Sequence, residues 1–62
     1  MRCYFMRDGR IQAVEVIENV KDDAAAIQRA KELLAERLIN KGVLQPDGFE
    51  LWDRARFIQR YP

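Results

Sequence analysis

An α+β fold of order ββαββ, a four-stranded antiparallel sheet with one helix packed on one face, follows from three observations. Asp8-Gly9 interrupts an alternating N-terminal run. A long segment with apolar residues at helical spacing follows. A second aromatic-rich alternating run closes the chain. Two hairpins joined by a crossing helix bury their apolar faces most simply as a sheet covered on one side. Neighbour pairing and a right-handed crossover give strand order 2-1-3-4.

The first hairpin rests on Asp8-Gly9, because both central positions of a type I′ turn need positive φ. Arg7 then faces Arg10, Met6 faces Ile11, Tyr4 faces Ala13, Cys3 faces Val14 and Arg2 faces Glu15. Met1, Cys3, Phe5, Val14 and Val16 share one face. Tyr4, Met6, Ile11 and Ala13 share the other. A three-residue turn with Gly9 in a bulge swaps the faces of the second strand. The two-residue turn is preferred because it takes Glu15 off the core face. The Arg7–Arg10 pair counts against it.

The helix is expected from about Asp23 to Lys41. Asp22 is a good N-cap, and Asp23 puts negative charge in the first turn. Ile27, Ala30, Leu34 and Leu38 form a stripe flanked by Ala26 and Leu33. Gln28, Arg29, Glu32, Glu36 and Asn40 lie opposite. Gly42 suits a left-handed C′ position, and Val43 then folds back on Leu38. Pro46 stops regular structure, and Asp47-Gly48 supplies a bend. In the second hairpin a three-residue turn at Trp52-Asp53-Arg54 puts Phe49, Leu51, Ala55 and Phe57 on one face. It sets Glu50 opposite Arg56. It also places Arg54 in a left-handed position that favours glycine, so strain or a shifted register is expected there.

Sixty-two residues bound the chain to a single domain, 1–62. A chain of this size buries only about 60% of its unfolded surface, so its core alone is marginal. One cysteine, Cys3, excludes an internal disulfide, and the lack of histidine excludes the usual zinc sets. Self-association or very good packing is left to stabilise it. A composition 48% hydrophobic and 34% charged is that of a globular chain. The net charge of +1 supplies no global field for nucleic acid or anionic lipid. No apolar run is long enough to span a membrane. Early charges in "MRCYFMRDGR" do not suit a signal peptide, and with a free thiol they favour the cytoplasm.

Tyr4-Phe5, Asp8-Gly9-Arg10-Ile11, the "DDAAAIQRAKELLAER" helix and the closing "GFELWDRAR" carry a resemblance. The chain resembles a group of very small bacterial proteins of unknown function, over nearly its whole length. Relatives of this type carry "WDGAR" where this chain has Arg54. The resemblance implies no activity and no catalytic residue. The "WD" pair does not indicate a propeller, since one hairpin cannot make a blade.

Chemistry is sparse. Acid–base work needs a histidine or a tuned carboxylate pair. Asp22-Asp23 is explained by capping, and Glu32 and Glu36 by a solvated helix face. Cys3 has no His or CxxC partner and reads as a small core residue. Gly9, Gly42 and Gly48 are separate turn glycines, not a phosphate loop. No catalytic residue, cofactor or metal is expected, and the chain does not read as an enzyme.

The remaining signal is the sheet face away from the helix. The registers above give it Tyr4, Met6, Ile11, Ala13, Trp52 and Ile58, mixed with Arg2, Glu15, Glu50, Arg56 and Arg60. Aromatics, Met and Arg are what interface cores enrich. Tyr4, Met6, Ile11, Trp52, Arg56, Ile58 and Arg60 are therefore the interface candidates, for a homodimer or an unidentified protein partner. A plainer alternative has Trp52 and Tyr61 covering the ends of a small core while arginine stems lie on the sheet. Another alternative is single-stranded RNA or DNA, with bases stacked on Tyr4 and Trp52 and phosphates held by Arg56 and Arg60.

Overall fold

The computed structural model describes residues 1–40 and 44–62. Its elements are β1 (Arg2–Arg7), β2 (Arg10–Val16), α1 (Asp23–Ile39), β3 (Gly48–Asp53) and β4 (Arg56–Tyr61). They form one antiparallel sheet of order β2-β1-β3-β4, with the helix against it. The ββαββ class and the strand order are those the sequence predicts.

Both hairpins turn tightly. Asp8 and Gly9 take φ of 52° and 76°, and Arg7 lies opposite Arg10. The like-charged pair is relieved because the Arg7 Nη1 donates to the Gln45 carbonyl, away from Arg10. The Asp47 side chain accepts from the Asp8 N–H at 3.0 Å, and the Asp47 N–H donates to the Met6 carbonyl at 2.8 Å. The connector before β3 thus clamps the first turn.

Beyond Met6↔Ile11 the predicted register fails. Gln12 is an extra residue, a β-bulge, so Phe5 faces Ala13, Tyr4 faces Val14, Cys3 faces Glu15 and Arg2 faces Val16. One inserted residue exchanges the faces of the rest of the strand. Val14 and Val16 therefore leave the helix side, while Ala13 and Glu15 join it. Glu15 is tolerated there because Arg37 of α1 reaches it at 3.2 Å. The same guanidinium lies 4.3 Å from the centroid of the Phe5 ring. Keeping the acid off the helix side is thus the wrong criterion for the register: Glu15 stays partly exposed there and has a partner on the helix.

The second hairpin is shifted as well. Its turn is the two-residue Arg54-Ala55, with Asp53 opposite Arg56. Arg54 does take left-handed φ, 56°. Ile58 is a second bulge residue, after which Leu51 faces Gln59, Glu50 faces Arg60 and Phe49 faces Tyr61. Glu50 is therefore opposite Arg60, not Arg56. Phe57 faces Trp52 on the side away from the helix, with ring centroids 5.2 Å apart.

The core lies between the central strands and the helix. Cys3, Phe5, Phe49 and Leu51 are fully buried, and Ala26, Ala30, Leu34 and Ile17 complete the set. Two alanines let the helix sit close over the large Phe5 and Phe49 side chains. The helix starts as expected: the Asp22 side chain accepts from the Ala25 N–H at 2.8 Å. It ends at Ile39, with Asn40 as cap, two residues short of the predicted end. Its buried line runs Ala26, Ala30, Leu34 rather than on to Leu38, which is 44% exposed. One turn later Arg37, not Leu38, faces the sheet. The expected Gly42 terminator and Val43 contact lie outside the described residues.

Candidate interaction surface on the helix-free sheet face

Alternation places the neighbours of the buried Cys3 and Phe5 on the opposite side of the sheet. Register then lays that face out as a grid. One row reads Val16, Arg2, Trp52, Phe57. The next reads Val14, Tyr4, Glu50, Arg60. The third reads Ile11, Met6, Gly48. Ile11, Val14, Val16 and Phe57 are 59%, 47%, 60% and 46% exposed, and Tyr4, Met6 and Trp52 are half-buried among them. A solvated sheet face is ordinarily mostly polar. This one is apolar along β2 and at the Trp52–Phe57 corner.

Polar order is concentrated at Glu50. Its carboxylate accepts from the Trp52 Nε1 at 3.2 Å and pairs with Arg60 at 2.9 Å. The indole hydrogen bond, then the guanidinium, holds its pKa below the ordinary carboxylate value. Trp52 is thereby oriented by the acid beside it. Arg2 lies on the same face, and Arg54 in the turn next to it. Among the described residues neither has an ion-pair partner. Together with Met1, Tyr4 and Val16 they line an open cleft of about 520 Å³.

Of the candidates named from sequence, Tyr4, Met6, Ile11, Trp52 and Arg60 do share this face. Arg56 does not. The step from Trp52 to Asp53 turns the Asp53–Arg56 pair to the helix side. There Arg56 binds both oxygens of Asp23, at 2.9 and 3.1 Å, and Asp53 at 3.2 Å. These bonds raise the Arg56 pKa and lower that of Asp23. Ile58 also leaves the face, because the bulge turns it into contact with the core. Val14, Val16 and Phe57 take the vacated places. Sequence reasoning missed them because a bulge leaves no strong signature; three exposed β-branched or aromatic residues beside charged neighbours were the only hint.

The rest of the molecule offers little chemistry. Cys3 is buried in the sheet, and its thiol is pushed up to about 11, first by burial and then by the Glu15 carboxylate, against the opposing pull of Arg37. A thiol so protonated is a poor nucleophile at neutral pH. Among the described residues no cluster of His, Cys, Asp or Glu suits a metal ion, and no helix is long and apolar enough to cross a membrane. No family model, curated protein or solved structure matches the chain.

Proposed function

We propose that the chain is a small non-enzymatic interaction module that works in the cytoplasm as a homodimer, joined through the helix-free sheet face. The observation that carries this is the apolar surface along β2 and at the Trp52–Phe57 corner, two patches that meet diagonally at Tyr4 and Trp52, on a molecule whose core is thin. Burying a large apolar side chain is worth about 1.5–3 kcal/mol, so leaving this face wet forfeits much of what could stabilise so short a chain. A second copy covers it with a single isologous contact. The resemblance to very small bacterial proteins of unknown function fits such a module and adds no activity to it.

Single-stranded nucleic acid is supported less well. That role needs Arg56 and Arg60 together on one face. Arg56 is bound to Asp23 and Asp53 on the helix side, and Arg60 is held by Glu50.

Sedimentation equilibrium tests the proposal. The wild type should be dimeric at micromolar concentration, and Trp52→Glu monomeric. A wild type that stays monomeric at several hundred micromolar overturns it. Binding of RNA or single-stranded DNA that weakens steeply with salt favours the nucleic-acid alternative instead.

A further inference from the structure

The grid has a self-complementary diagonal. Standard strand spacings put Arg2 and Glu50, adjacent strands and one row apart, about 8 Å from each other across the face. Two sheets packed face to face can be related only by a twofold axis lying within the interface plane. An axis bisecting the Arg2–Glu50 line brings Arg2 of each copy over Glu50 of the other. On the same spacings Val14, Tyr4, Trp52 and Phe57 zigzag along that axis, each within about 1.5 Å of it. Each therefore meets its own counterpart. The strands of the two sheets cross at about 70°, near the orthogonal class of sheet packing.

Charge favours this axis over others. A covered face must pair its cations, because an unpartnered buried charge is costly. Arg2 has no ion-pair partner among the described residues, and Glu50 is the acid of the face. Two hydrogen bonds already engage Glu50, and a carboxylate has about four acceptor positions, so capacity remains. The same rotation carries Arg60, paired with Glu50, to within about 5 Å of Arg2 in plan, at the end of the sheet beyond the first row, where water screens the guanidinium groups from one another.

We propose, resting on the homodimer reading, that Glu50 of each copy enters the Arg2–Arg54 cleft of the other, with Tyr4 and Trp52 stacked along the twofold axis. The interface is then two identical charged latches flanking an apolar seam.

Charge exchange tests it. Arg2→Glu opposes two acids twice in a homodimer, and Glu50→Arg opposes two guanidinium groups twice. Each variant alone should weaken dimerisation at least tenfold in sedimentation equilibrium at low salt. Mixing the two variants restores both latches at once, so an equimolar mixture should form heterodimers with near wild-type affinity. Circular dichroism verifies that each variant is folded. If Glu50→Arg does not fold, Arg2→Glu decides alone, since Arg2 has no ion pair to lose among the described residues. Single variants that dimerise like the wild type, while Trp52→Glu is monomeric, overturn the latch and leave the face intact. The same holds for folded, weakened variants whose mixture does not recover. A wild type that is itself monomeric removes latch and homodimer together.

Discussion

Arg54 shows how one residue sets local strain. Its φ of 56° lies where an L-residue costs about 1–2 kcal/mol. Glycine there relieves the strain but loses about 0.4–1 kcal/mol through greater freedom of the unfolded chain. Arg54→Gly should therefore raise monomer stability by about 0.5–1 kcal/mol, read from urea unfolding at concentrations too low for dimerisation. The sequence pointed to a left-handed Arg54, since the turn needed one and the residue was wrong for it. The turn length was not legible, because two- and three-residue loops both fit the same letters.

Cys3 sets a pH dependence of known sign. Its folded pKa, about 11, lies above its ordinary 9.0. Below pH 9 both states hold the proton and the contribution to stability is complete. As pH rises from 9 through 11 the unfolded thiol ionises first, and that stability is lost. Wild type should lose more stability between pH 8 and pH 10.5 than Cys3→Ala does, in paired urea titrations. Equal losses would mean that the thiol is not shielded.

The helix was the most legible element, and its exact facing the least. Spacing identified the buried side through Ala30 and Leu34, but a stripe drawn through Leu38 drifts off the true line, which follows Ala26, Ala30 and Leu34. Arg37 takes the next place because its guanidinium meets both the Phe5 ring and Glu15. Sequence alone gives no reason to rank an arginine above a leucine there. Leu34→Ala should cost about 2–5 kcal/mol. Leu38→Ala removes a side chain 44% exposed and should cost under about 1 kcal/mol. Equal costs in thermal unfolding would restore the Leu38 stripe. At the other end of the helix, Arg56 ties β4 to the first turn through Asp23. These groups are exposed, so Arg56→Ala should affect fraying of that corner, seen by hydrogen exchange, more than global stability.

For the molecule as a whole, turn signals, helical periodicity and alternation were enough to give the element order, the layers and the strand order. The composition of the helix-free face was only partly legible, because it depends on two bulges that no short motif announces. That face is smaller than the 20–30 residues a side of a standard stable interface, so micromolar affinity is expected rather than nanomolar. Dimer dissociation then couples to unfolding. Each tenfold dilution is worth about 1.4 kcal/mol, which should lower the melting temperature by about 5 °C while the dimer is populated. Trp52→Glu should melt at a temperature independent of concentration. A concentration-independent wild type would separate the fold's stability from any assembly.

The two bulges have a further effect on growth. Gln12 and Ile58 sit in β2 and β4, the strands whose outer edges have no neighbour in the sheet. A bulge breaks the regular file of backbone donors and acceptors that an incoming strand would read, and it twists the edge away. Lateral addition of sheet to sheet, the route to fibres, is thereby impeded on both sides. Face-to-face pairing by a twofold axis consumes its own surface and stops at two. In the proposed dimer, the covered face and the spoiled edges together would keep even a concentrated solution of the chain at closed pairs.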